Sequence, residues 1–116
     1  MKQYKVIFHL DEEPIEKVTF VLNNIINLLN DLGGQNVEIE LLVNGPAVKA
    51  FKAEESPISE LIAKILDQGV AIALCNNALN NLRLKPEDML PEALVVPSGV
   101  GELVRKQAEG WAYIRP

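Results

Sequence analysis

Gly69-Val70-Ala71-Ile72-Ala73-Leu74-Cys75-Asn76-Asn77 is the most informative stretch of this sequence. Five consecutive apolar residues follow the glycine and end at the only cysteine, a pattern typical of a short buried strand in a parallel sheet. The residues after it place Ala78, Leu79 and Leu82 at helical spacing. Cys75 is therefore predicted at the carboxyl end of a strand and immediately before a helix, where open α/β sheets bind their ligands.

The rest of the chain repeats this alternation of strands and helices. Ile15, Val18, Leu22, Ile25 and Leu29 recur at three- and four-residue steps, which predicts a long amphipathic first helix. The predicted strands are Tyr4 to Leu10, Val37 to Val43, the strand ending at Cys75, Ala93 to Val96 and Trp111 to Ile114. The order β-α-β-α-β-α-β-α-β predicts one domain over residues 1–116: a three-layer α/β/α sandwich with a five-stranded, mainly parallel sheet.

Two further patterns give local expectations. Glu38 and Glu40 alternate with apolar residues, which favours an edge or half-exposed position for the second strand. Ser56-Pro57 is typical of an N-cap followed by the first residue of a helix, and Ser98 is a candidate cap for the last helix.

Composition and charge exclude several classes of function. The net charge is −5 and the basic residues form no stripe, so nucleic-acid binding is not expected. No apolar run approaches the ~20 residues of a membrane-spanning helix. One histidine and one cysteine provide no metal-ligand spacing, so we expect no metal and no resident cofactor. A single cysteine forms no internal disulfide, which favours a cytoplasmic location.

The predicted fold brings four turns to one edge of the sheet, because the carboxyl ends of parallel strands meet there. These turns contain His9 to Glu12, Asn44-Gly45-Pro46, Cys75-Asn76-Asn77 and Pro97 to Gly101. Cys75 has two interpretations: a small buried apolar residue, or a nucleophilic thiolate stabilised by the helix start. His9 is a candidate catalytic proton acceptor for Cys75. The candidate substrate-binding residues are Asn44, Gly45, Asn76, Asn77, Ser98 and Gly99.

Taken together, these motifs resemble the DsrE/DsrF-like family of small α/β proteins. The resemblance spans nearly the whole chain and is carried by YKVIFHLDE, VNGPAV, GVAIALCNNAL and VPSGVGELVRKQAEGWAYI. It implies an α/β sandwich that assembles into homo-oligomers, commonly trimers or hexamers. It also implies that Cys75 matches a strand-end cysteine that carries sulfane sulfur as a persulfide and passes the sulfur to partner proteins.

Two functions follow as expectations. In the first, the protein is a cytoplasmic sulfur carrier, similar to a sulfurtransferase, that exchanges sulfur between Cys75 and the thiols of donor and acceptor proteins. In the second, it is a non-catalytic homo-oligomeric module that binds a small anion or nucleotide, and Cys75 is structural. Whether the protein is an enzyme stays open on the sequence alone.

Overall fold

The structure is a computed structural model that describes residues 2–116, and a parallel sheet forms its middle layer. The strands are β1 (Tyr4–Leu10), β2 (Val37–Val43), β3 (Ala71–Cys75), β4 (Leu94–Val96) and β5 (Ala112–Ile114). They are arranged in the order β4-β3-β2-β1-β5, and each neighbouring pair is parallel. The predicted fold class and the predicted parallel sheet are therefore confirmed.

Helices and short 3-10 turns connect the strands. The helices are α1 (Ile15–Leu32), α2 (Ser59–Asp67), α3 (Asn76–Asn81) and α4 (Gly99–Ala108), and the 3-10 turns are Gly45–Phe51 and Pro86–Asp88. The predicted cap of the last helix is confirmed, because Ser98 Oγ accepts a hydrogen bond of 3.0 Å from the Gly101 amide. The predicted start of α2 is displaced by two residues: the N-cap position is Ile58 instead of Ser56, and Ser56 stabilises the preceding turn by accepting from the Ile58 amide.

The larger part of the core lies between one face of the sheet and the helices α1, α2 and α3. Most of the stripe of α1 that sequence periodicity predicts is buried here, with Val18, Leu22 and Ile25 completely inaccessible to solvent. Ile15, at the start of the helix, is instead 41% exposed. Leu79 of α3 and Ile65 of α2 belong to the same apolar cluster. These helices therefore form one continuous layer.

The opposite face of the sheet is covered differently, since α4 is the helix that packs there. Its core is a small cluster of Ile7, Leu42, Ala73, Leu103 and Trp111. The first residues of α4 also lie at the carboxyl edge of the sheet. One helix thus both covers this face and forms part of the edge at which the candidate site lies.

The predicted edge position of β2 is wrong, since β2 is the central strand of the sheet. Glu38 is exposed as the alternation suggests, but Glu40 is only 5% exposed because α4 packs over it. Lys106 of α4 places its Nζ 3.6 Å from Glu40 Oε1. A charged partner on a distant helix therefore allows an acidic residue in the middle of the sheet, and the local pattern contains no sign of that partner.

No helix within residues 2–116 is long and apolar enough to cross a membrane.

Candidate functional site

A small crevice lies at the carboxyl edge of the sheet, where β2, β3 and β4 end. Its volume is about 230 Å³. Its walls come from the turn after β2, the start of α3 and the first turn of α4. The lining residues are Asn44, Gly45, Cys75, Asn77, Ala78, Asn81, Ser98, Gly99 and Val100.

Most of the candidate site residues predicted from the sequence lie together in this crevice. Cys75 is accompanied by the predicted binding residues Asn44, Gly45, Asn77, Ser98 and Gly99. Asn76 is not among the lining residues. Asn81 also lines the crevice and was not predicted, although it follows Asn77 by four residues and therefore lies on the same face of α3.

Cys75 is a free thiol residue with 6% of its surface exposed. It ends β3 and occupies the N-cap position of α3, where the first amides of a helix lack intrahelical acceptors. Val43 and Leu74 are paired between β2 and β3, so the next residues along these strands, Asn44 and Cys75, are neighbours at the sheet edge. Asn44 is thus the residue that lies beside Cys75 at the end of the neighbouring strand.

Gly99 allows α4 to begin close against this edge. A Cβ atom added at Gly99 would lie 2.9 Å from Asn44 Cβ and 3.2 Å from Leu42 Cδ1. Contacts this short between carbon atoms are repulsive, so a larger residue would push α4 away from the sheet. Gly99 therefore allows the first turn of α4, which forms one wall of the crevice, to lie against Asn44.

His9 joins the site indirectly. Its Nε2 lies 2.9 Å from Asn44 Oδ1, and its Nδ1 lies 2.7 Å from the Tyr113 hydroxyl. Asn44 therefore stands between His9 and the crevice, and the direct catalytic role predicted for His9 stays a prediction. The contact between His9 and Tyr113 joins residues 104 positions apart, so no local sequence pattern indicates it.

The crevice itself is neutral, because none of its lining residues carries a formal charge. Charged groups lie instead beneath α4, where Glu40 and Glu102 are both buried. Burial, followed by the hydrogen bond and the negative charge of Glu102, raises the pKa of Glu40 to about 8, against the opposing effect of Lys106. The hydrogen bond with Glu40 lowers the pKa of Glu102, with Arg105 and Lys106 adding to the effect.

The structure offers two further tests of the predicted site. Within residues 2–116, no group of three or more His, Cys, Asp or Glu side chains is arranged to hold a metal ion. A larger groove of about 500 Å³ lies between α1 and β5, and none of its lining residues has a thiol, hydroxyl or imidazole group. Its lining residues are Phe8, Phe20, Asn24, Asn27, Leu28, Asp31, Ile114 and Pro116. The chemistry-bearing residues are therefore concentrated in the smaller crevice.

Comparisons with known proteins agree with this architecture. The structure is similar to that of MTH1491 from Methanobacterium thermoautotrophicum, a protein of unknown function. The two share 38% sequence identity and a TM-score of 0.90 over 97% of this chain and 99% of that one. The ychN protein from E. coli has the same fold, with 16% identity and a TM-score of 0.82 over 97% of this chain and 99% of its own.

Among curated proteins no match was found. The model of the DsrE/DsrF-like family matches residues 4–116. By this match and by the shared fold, the chain belongs to the DsrE/DsrF-like family.

Proposed function

We propose that this protein is a cytoplasmic sulfur carrier that holds sulfane sulfur as a persulfide on Cys75 and passes it to a partner thiol. The observation that carries the proposal is the position of Cys75 in a small neutral crevice, at the junction of β3 and α3. Membership of the DsrE/DsrF-like family is consistent with a role in sulfur relay.

The size of the crevice favours a sulfur chain over a larger ligand. Its volume of about 230 Å³ is below the ~300–1,000 Å³ of typical small-molecule pockets. None of the lining residues is cationic, so the crevice offers no charged side chain to the phosphates of a nucleotide. A sulfane sulfur atom, or the tip of one cysteine side chain, fits this volume.

The chemistry is a pair of thiol exchange reactions that balance without an external oxidant. The Cys75 thiolate attacks the terminal sulfur of a donor persulfide, the donor S–S bond breaks, and the donor leaves as a thiolate. In the second step an acceptor thiolate attacks the terminal sulfur on Cys75, forms the new S–S bond and releases the Cys75 thiolate. The oxidation state of the transferred sulfur is the same before and after each transfer.

The groups around Cys75 suit the anions that this chemistry produces. The first amides of α3 and α4 lack intrahelical acceptors, and the positive end of a helix dipole stabilises a nearby thiolate. The side chains of Asn77 and Asn81 add neutral hydrogen-bond donors to the wall of the crevice. Anion stabilisation would therefore come from dipoles, which also suits release of the sulfur after transfer.

We also propose that the protein acts as a homo-oligomer, the trimer or hexamer that the family resemblance implies. Val100 and Val104 of α4 are 65% and 67% exposed, and Leu94 of β4 is 58% exposed. Aliphatic side chains exposed to this extent and concentrated on α4 and β4 are typical of surfaces that another polypeptide covers. Val100 also lines the crevice, so a neighbouring subunit on this surface would lie near the site.

The proposal is tested by measuring intact mass after treatment of the native protein with inorganic polysulfide. We expect a single added sulfur atom that dithiothreitol removes, and we expect no addition to Cys75→Ser. Prior alkylation of the native wild-type thiol provides a matched control, because it blocks the same atom without a substitution.

The opposite result would favour the alternative function. If Cys75 reacts with polysulfide and iodoacetamide only after unfolding, the thiol is structural and a non-catalytic binding module becomes the better description. Addition of sulfur to Cys75→Ser in the same yield would also overturn the carrier function, since this chain contains no second cysteine.

A further inference from the structure

His9 is held at both ring nitrogens and buried, with 8% of its surface exposed. Its Nδ1 is 2.7 Å from the Tyr113 hydroxyl and its Nε2 is 2.9 Å from Asn44 Oδ1. A histidine with two such partners has a fixed ring orientation. The identity of each partner also decides where the ring carries its proton.

The acceptors near Nε2 place the proton on that nitrogen. The carboxamide oxygen of Asn44 only accepts hydrogen bonds, so Nε2–H must be the donor in this contact. Asp11 Oδ2 lies 3.9 Å from Nε2 and is held by a hydrogen bond of 2.7 Å from Arg115 Nη1. This second acceptor favours the same tautomer. Nδ1 is then the acceptor for the Tyr113 hydroxyl.

This arrangement orients the carboxamide of Asn44. Because Oδ1 faces His9, the Nδ2 amino group lies on the other branch of the carboxamide. A Cβ atom built at Gly99 would lie 3.2 Å from Asn44 Nδ2, which places the amino group against the start of α4. Asn44 also lines the crevice and neighbours Cys75 in the strand register. Within residues 2–116 the structure gives this amino group no hydrogen-bond acceptor.

We propose that Tyr113 and His9 are positioning residues that hold Asn44 with its amino group towards the crevice, where it donates a hydrogen bond to the sulfur anion on Cys75. The identity of that anion as a persulfide rests on the function proposed above. The orientation of Asn44 and its effect on the Cys75 thiolate do not rest on that proposed function. The chain of donors runs from the Tyr113 hydroxyl to His9 Nδ1, and from His9 Nε2 to Asn44 Oδ1.

The first test measures the tautomer of His9, the only histidine in the chain, by ¹⁵N NMR of the full-length protein. We expect the Nε2–H form in the wild-type protein. Observation of the Nδ1–H form would overturn the proposal, because Nε2 would then accept from Asn44 and the carboxamide would be turned the other way. This measurement requires no sulfur donor.

The second test is a double-mutant cycle read by the rate of Cys75 alkylation with iodoacetamide across a pH series. One hydrogen bond to a charged group corresponds to roughly a tenfold change in the thiolate-dependent rate, so we expect that loss in Asn44→Leu and in His9→Leu. If His9 acts through Asn44, the double variant is no slower than Asn44→Leu alone. We expect His9→Gln, which retains an amide donor near the position of Nε2, to recover most of the rate.

Tyr113→Phe provides a milder variant, because Tyr113 is 40% exposed and loses only its hydroxyl. We expect a smaller decrease in rate than in His9→Leu and a mixture of His9 tautomers. Independent, multiplicative effects of the His9 and Asn44 substitutions would overturn the proposal. A wild-type protein that shows the coupled effect but takes up no sulfur from polysulfide would instead overturn only the proposed function.

Discussion

The buried carboxyl pair beneath α4 makes the stability of the protein depend on pH. Glu40 lies in the centre of the sheet with 5% of its surface exposed, and Glu102 of α4 is 9% exposed. Lys106 contacts one oxygen of Glu40, but Oε2 is buried without a hydrogen-bond partner. A protonated Glu40 can act as the donor in the hydrogen bond with Glu102 that contributes to its raised pKa. Burial and Glu102 accordingly raise the pKa of Glu40 to about 8.

The sign of the effect follows from comparing the folded and unfolded chains. The pKa of Glu40 rises from an ordinary value of 4.5 to about 8 on folding, so folding takes up a proton between these pH values. The contribution of Glu40 to stability is therefore greatest below its unfolded pKa and is lost as pH rises through its folded pKa. One proton corresponds to a slope of about 1.4 kcal/mol per pH unit, which amounts to roughly 2–3 kcal/mol between pH 5.5 and 7.5.

The measurement is urea unfolding of the wild-type protein and of Glu40→Gln at a series of pH values from 5.5 to 8.5. Glutamine is neutral at every pH and retains an amide donor for Glu102. We expect the stability of wild type relative to the variant to decrease by roughly 2–3 kcal/mol from pH 5.5 to 7.5. Glu38→Gln, an exposed position on the same strand, is the matched control and should leave the pH dependence unchanged. Parallel pH profiles for wild type and Glu40→Gln would refute the reasoning.

Three further predictions concern α4. Gly99→Ala should lower the free energy of unfolding by about 1–3 kcal/mol through the short contact with Asn44. Chemical denaturation measures this loss, with Gly34→Ala as the control, because a Cβ added at Gly34 has its nearest neighbour at 3.5 Å. Equal losses of stability in the two variants would contradict the prediction. Ser98→Ala should cost about 1 kcal/mol by removing the cap on the Gly101 amide, and full recovery is expected in Ser98→Asp. Val104→Asp should convert the expected oligomer into monomers without lowering their helical content, as measured by light scattering and circular dichroism. Phe20→Asp on α1 is the control. Dissociation by that change alone would contradict the prediction, because it would show that the interface lies on the face of the sheet that α1 covers.

The strands and most of the site could be predicted from the sequence because their signals are local. Buried strands of a parallel sheet are continuous apolar runs, and the turn residues that follow them occur at the same edge. Cys75, Asn44 and Ser98 could therefore be assigned to one crevice before any distance was known. Ser98 was also predictable as a cap, since its hydroxyl bonds an amide only three residues away.

The central position of β2 and the surroundings of His9 depend on contacts between residues that are distant in the sequence. The alternation of Glu38 and Glu40 indicates an exposed strand, and only Lys106 of a helix far along the chain explains the buried acid. The contacts of His9 were similarly hidden, because Tyr113 lies in β5 and Asn44 follows β2. Asn76 follows Cys75 in sequence but does not line the crevice, since successive positions of a helix face different directions.

The strand order has a consequence for the order of folding events. Strands β1 to β4 pair with sequence neighbours, whereas β5 pairs with β1 across the whole chain, with Val6 opposite Ala112. Closing such a long loop is entropically slower than forming the nearer pairs. We therefore expect Tyr113 to reach His9 late in sheet assembly, after the strand that ends at Cys75 is in place. A chain whose C-terminal strand has not yet docked would already hold its thiol at the sheet edge, but it would lack the contact with His9 through which we propose that Asn44 is oriented.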